Sequence, residues 1–579
     1  VSSTLAGLYR DDATFHFFNK QPDGTWVSNS DVKGILTKTA AGWSYRTADD
    51  TVEIYDMAGK LQSERHVDGT ENSLLYDSEG RLYSVQGSTG ESLTFYDDPA
   101  DTDDFVDSVT DHAGRVWQYA YDESSNLEYV VYPDGTTGTD ADNPVRQYHY
   151  ENATYPNALT GITDERGVRY ATFGYDGNGW AVSGYQGGST SPTDSIDVDY
   201  HNDDHQGDGV ATRTVSDGKG NQSTYKTIHQ NGVALLASVA GPGCASCGTG
   251  DASYSYDAAA NNLLSRTESG VTTEYGNYDL NGNPGFRIEA RGTAEERRTD
   301  YSYDPRFYSK ITRILEPSVF AADPATQCTA GVDCRKTEYS YDDRGNRLTE
   351  TISGYTPHGV PVSRATTYQY NGPLHQLSQV DGPRSDVNDI TMFEYYPDSP
   401  AEGANRARLK RITAADGTLL RDNIGYTPTG KVSTEDRPNN IRVYYDYFPG
   451  NDRLQASTVQ DLSTGNSSRT AWTYLPSGEV ESITIASHSP DAVTLTFGYD
   501  DSRRLTRIVD AAGNYIEYTL DPAGNRTGEN LHDNSGALRK ALTRTFDAYN
   551  RLDVSMSGAD RFNPLEQIDR DFAPDGSLD

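Results

Sequence analysis

The side chains best equipped for chemistry in this 579-residue chain are its acids, its few histidines and its four cysteines. His201 and His205 stand among Asp203, Asp204 and Asp208, a mix of imidazole and carboxylate donors that suits a divalent metal. Their spacing fixes no geometry, so a solvated polar loop is the preferred reading and no metal is assigned. The acidic run over residues 97–107 offers oxygen ligands for Ca²⁺, yet it lacks the alternating Asp-x-Asp-x-Asp-Gly spacing of a calcium loop. The cysteines fall into two local pairs, Cys244/Cys247 and Cys328/Cys334. In an exported chain such pairs read as a disulfide within each pair; four thiolates around zinc are the alternative. A thioredoxin-like role needs a strand–helix context, whereas Gly-Pro-Gly and Gly-Thr-Gly flank the first pair and read as loop. Nucleophile elbows, His-Glu-x-x-His helices and phosphate-binding loops are absent from the sequence. The expectation is a protein without cofactor or catalytic centre.

What the acids do instead emerges from their context. An alternating strand, Tyr-Asp, two variable residues, Gly, and a second alternating strand recur along the chain. Tyr55-Asp56-Met57-Ala58-Gly59 and Tyr76-Asp77-Ser78-Glu79-Gly80 start 21 residues apart, as do the units at Tyr499-Asp500 and Leu520-Asp521-Pro522-Ala523-Gly524. Further copies sit at Tyr175, Tyr256, Tyr303, Tyr341-Asp342-Asp343-Arg344-Gly345 and Phe546. Shorter Asp-x-x-Gly turns fall between them, at Asp111, Asp164 and Asp510. An Asp in this position accepts a hydrogen bond from the amide two residues on, and the Gly takes positive φ for a type I turn with a G1 bulge. Flanks such as Thr51-Val52-Glu53-Ile54-Tyr55 alternate, so the Tyr of each unit is expected on one common face of a ribbon of hairpins. Each turn Asp is thereby accounted for without catalysis. Helical periodicity is scarce, and Pro-rich stretches near 317–324 and 398–404 read as longer loops.

Composition agrees with a thin wall. Hydrophobic residues make up 35%, but 41 Tyr against 15 Phe and 54 Gly argue against disorder. Tyr suits surfaces that are half buried and half wet. The excess of 86 acidic over 49 basic residues, a formal charge of −37, repels nucleic acid and anionic membranes. No apolar run approaches a membrane span; Val233 to Ala240 is far too short.

The Tyr-Asp-x-x-Gly-[Asn/Arg] units resemble those of the Rhs/YD-repeat family, which includes bacterial polymorphic toxins, the C component of Tc complexes and the teneurins. The resemblance divides the chain into a strand-rich opening segment, residues 1–50, with Phe15-His16-Phe17-Phe18 and Trp26, and a YD-repeat array over 51–579. It implies an all-β fold of antiparallel hairpins coiled as one continuous sheet into a shell, barrel or tube. It implies a secreted or cell-surface bacterial protein whose partners are an enclosed toxin domain, or further repeats of the same protein, including self-association into a fibre. Family toxins carry an Asp-Pro-x-Gly-Leu core signature; here Asp521-Pro522-Ala523-Gly524-Asn525 lacks the Leu and reads as an ordinary turn, so self-cleavage is not carried over. If half the residues form strands of about six, the wall holds roughly 48 strands.

Overall fold

The computed structural model describes residues 4–10, 14–28, 32–98, 105–134, 142–187, 193–202, 210–244, 248–249, 251–321, 323–324, 326–328, 333–558 and 566–570. One antiparallel sheet of 46 strands runs through them, with a separate two-stranded hairpin of Gly243–Cys244 and Gly248–Thr249. Along the whole sheet each strand pairs with the one before it and the one after it, a single meander. The apolar run Val233–Ala240 is one of these strands, and the loop at 398–404 contains a short 3₁₀ turn, Pro400–Asn405. Among the described residues no helix is long and apolar enough to cross a membrane.

A meander has two edges, and successive turns alternate between them. The two kinds of turn in the sequence sort onto these edges. Units beginning at Tyr55, Tyr76, Tyr175, Tyr256, Tyr303, Tyr341, Tyr499 and Leu520 all turn on one edge, the YD rim. The shorter turns at 66–70, 111–115, 164–168, 217–221 and 510–514 all lie on the opposite edge, the short-turn rim.

The ribbon then coils. Short turns of the first half meet YD turns further along the chain, with partners 260 to 339 residues apart. Between the docked turns 164–168 and 500–504 the sheet passes through about 25 strands. At about 4.8 Å per strand that is a circuit of roughly 120 Å, hence a radius of about 19 Å and a lumen of about 14 Å radius inside the side chains. Exposed surface says the same. The chain presents 31414 Å² to solvent, against about 20,000 Å² for a compact globule of its 63.5 kDa. Both faces of the wall are wet.

Deep burial is correspondingly local. Leu8, Phe18, Trp26, Leu36, Trp43 and Tyr45 of the opening segment form a buried cluster against which Tyr55 packs, with the Trp26 and Trp43 rings edge to face at 5.0 Å. Alternation explains the choice: Phe18 is buried at 1% exposure while Phe15 and Phe17 stand in solvent.

Candidate functional site: the two rims of the wall

At each YD turn the Asp carboxylate does the folding work. Oδ1 of Asp56 accepts from the amides of Ala58 and Lys60, and Asp77, Asp500 and Asp521 repeat the pattern two and four residues on, all at 2.8–3.0 Å. Asp342 accepts from Arg344, Gly345 and Asn346 amides, each at 2.9 Å. The amide of Gly59 donates to the Asp56 carbonyl, and Gly59, Gly80, Gly345 and Gly524 have φ between +82° and +99°. Register shifts by one residue at Tyr55, Tyr76, Tyr341, Tyr499 and Leu520, which is the bulge such a turn requires. The second carboxylate oxygen explains the Asn or Arg after the Gly. Asn346 and Asn525 amides, and Arg81 and Arg504 guanidinium groups, donate back to Oδ2 of their own turn's Asp.

The Tyr has a second role that sequence reasoning missed. Hydroxyls of Tyr76, Tyr175, Tyr256, Tyr303, Tyr341 and Tyr499 donate to the backbone carbonyls of Leu61, Leu159, Leu236, Pro284, Ile311 and Val480, at 2.7–3.0 Å. These acceptors lie on the preceding strand or, for Leu159 and Pro284, in the turn that leads into it. Each hydroxyl therefore stitches its hairpin to the one before it along the YD rim. All seven expected tyrosines are half-buried; Tyr55, the first, bonds the Glu53 carboxylate at 2.6 Å instead. Burial pushes the Tyr303 and Tyr278 phenols up to about 12, helped by neighbouring Tyr and Asp side chains.

Where the rims dock, cations hold them. Arg46 donates to the Arg344 carbonyl at 3.3 Å, Lys310 pairs with Asp50 at 2.8 Å, and Asn346 reaches the Val67 carbonyl at 3.0 Å. Arg408 pairs with Glu91, Arg115 with Asp452 at 2.8 Å, and Lys219 bonds the Asp547 carbonyl at 2.9 Å. The most enclosed contact joins Arg503 to Asp164 at 3.1 Å and Glu165 at 3.2 Å; Asp164 is fully buried. Burial opposes the charge on Asp164, but bonds from the Arg166 side chain and amide outweigh it and hold the carboxyl below its ordinary value.

The remaining candidates part company. Cys328 is joined to Cys334 by a disulfide, Cα–Cα 5.5 Å, so this pair is not available to a tetrathiolate zinc site. Cys247 and the side chain of Cys244 lie outside the described residues, as do Asp203, Asp204, His205, Asp208, residues 99–104 and the side chain of His201. Among the described residues no three His, Cys, Asp or Glu side chains gather as metal ligands would.

Known proteins fit this geometry. Residues 108–137 match the RHS Repeat family. No curated protein matches the chain in sequence. Among solved structures the chain is similar to TcdB2-TccC3 without its hypervariable C-terminal region, at 12% identity and a TM-score of 0.55, over 96% of this chain and 31% of that one. TcdB2-TccC3-TEV follows at 12% identity and 0.46, over 94% and 27%, then a Tc holotoxin pore of Photorhabdus luminescens at 12% and 0.32, over 97% and 27%. The chain thus spans 31% of the length of the first of these, and it shares that structure's fold. The Tyr-Asp repeat that turns, stitches and coils this continuous sheet is similar to the Rhs repeat, whose family model matches residues 108–137, and the sheet has the fold of the TcdB2-TccC3 structure.

Proposed function

We propose that the chain is a non-enzymatic wall segment of a secreted or cell-surface bacterial shell, enclosing a polypeptide cargo such as a toxin domain that lies outside residues 1–579. The observation that carries this reading is the wet wall: 31414 Å² of exposed surface on a sheet coiled around its own lumen. Its support is that the turn carboxylates of the YD units serve backbone amides, which leaves them no spare chemistry. Under this reading residues 1–50 act as the packed opening from which the array over 51–579 winds. Both cysteine pairs are oxidised within themselves, as an exported protein permits. The test is to express residues 1–579, assay nuclease, protease and glycosidase activity, and image the particles. Hollow particles without turnover support the reading; turnover abolished by one substitution ends it.

A second reading, a fibre of stacked coils, is favoured by the free short-turn rim of the second half. Val360, Leu419, Leu462, Ile485, Val493 and Leu531 stand along it at 39–57% exposure. Regular filaments in the same images would select it.

A further inference from the structure

Turn 499–504 breaks the rule of its own repeat. Where Gly59, Gly80, Gly345 and Gly524 occupy the left-handed position, this turn places Arg503, at φ +63°. An L-residue there is strained by its Cβ against the following carbonyl, and a long cation brings nothing to the turn itself. Departures of this kind are kept where the side chain has work elsewhere. Here the work is visible. Held left-handed, Arg503 projects off the rim into the coil above, with Nε 3.1 Å from Asp164 Oδ2 and Nη2 3.2 Å from Glu165 Oε2. Its guanidinium lies 4.3 Å from the centroid of the Tyr170 ring. The exchange is reciprocal, because Arg166 reaches down to the carbonyls of Asp500 and Asp501 at 3.2 and 3.1 Å. Thr193 and Ser502 hydroxyls bond across the same joint. Two other docked turns on this rim do likewise: Asn550, at φ +59°, takes the glycine position and its Oδ1 accepts from Lys219 across the seam at 3.2 Å, and Asp452, at φ +53°, pairs with Arg115 at 2.8 Å.

We propose that Arg503 is the clasp of the inter-coil seam: it trades the glycine its turn prefers for a grip on the Asp164–Arg166 turn of the preceding coil. Releasing it parts the two coils along this line while both hairpins stay folded. The wall thereby has two separable kinds of cohesion. Ladder bonds and Tyr stitches run around the coil, and arginine clasps run between coils.

The informative variant is Arg503→Gly, because it removes the clasp while giving the turn the residue it prefers. Hydrogen exchange read by mass spectrometry is expected to accelerate at least tenfold in peptides spanning 164–168 and 500–504, with the hairpin at 510–514 unchanged. Unchanged exchange at 164–168 overturns the proposal, and so does acceleration spread evenly through 510–514. Asp164→Asn, made in the other coil, is the second arm and guards against a variant that fails to fold. Combined with Arg503→Gly it is expected to add less than twofold to either single change at the seam. Independent, multiplying effects would show that the two residues do not form one clasp, and overturn it equally.

Discussion

At the scale of the residue, the turn Asp is a hub rather than a reactive group. Asp342 accepts three backbone amides, the Asn346 side chain at 3.1 Å and His375 Nε2 at 2.7 Å. Burial disfavours its charge, but these bonds outweigh that and hold its pKa below the ordinary carboxylate value. A carboxylate depressed in the folded state contributes stability that is present above its ordinary value near 4 and is lost as pH falls through the lower folded value. The hairpin 334–355 is therefore expected to hold through mild acid and loosen only well below about pH 4. Asp342→Ala, which strands those amides, is expected to destabilise the hairpin by about 1.5 kcal/mol, roughly tenfold faster exchange at Asn346; Asp342→Asn keeps the Oδ1 acceptor and should recover about half. An Ala variant indistinguishable from the parent would refute the hub. This much was legible in sequence, because an Asx-turn lies within five residues. Arg503 left only a faint trace, a glycine missing from an otherwise regular Tyr-Asp unit.

At the scale of the element, the sequence reveals hairpins but not how neighbouring hairpins are fastened. Strand alternation and turn chemistry are local, so the expected 48 or so strands sit close to the 46 of the sheet and the two of the small hairpin. The stitch is invisible beforehand because its acceptor is a backbone carbonyl 15 to 30 residues upstream, and every residue has one. It explains why Tyr is preferred over Phe in the repeat: the ring packs equally well, but only a phenol reaches the next strand. Tyr303→Phe is expected to lose about 1 kcal/mol by leaving the Pro284 carbonyl unpaired, measured as protection lost at 284–288. The same burial gives an alkaline signature. With the Tyr303 folded value near 12, above about 10 in an unfolded chain, the stitch's contribution is complete below pH 10 and is lost as pH rises through about 12. Phenolate absorbance at 295 nm should therefore lag the unfolded chain, with Tyr278→Phe and Tyr303→Phe reducing the late-titrating fraction. Phenols that all ionise near pH 10 would contradict the stitch.

At the scale of the whole molecule, coiling decides what the wall can hold. The circuit cannot be read from sequence, because docked partners lie 260 to 339 residues apart and the intervening repeats vary in length. Once the circuit is known, geometry is restrictive. About 25 strands enclose a lumen of roughly 14 Å radius. A folded domain of 100 residues has a radius of gyration of about 13 Å, so its outer surface lies near 17 Å and does not fit. An extended segment or a helix about 10–12 Å across does. A cargo inside this segment is thus expected to be held without its tertiary fold. End-on averages from electron microscopy should show a ring with a low-density centre about 28 Å wide. A small reporter enzyme enclosed by this wall should be protected from protease yet inactive, and regain activity once the wall is opened. Protection together with full activity inside the closed wall would mean a wider lumen than one circuit of this sheet provides.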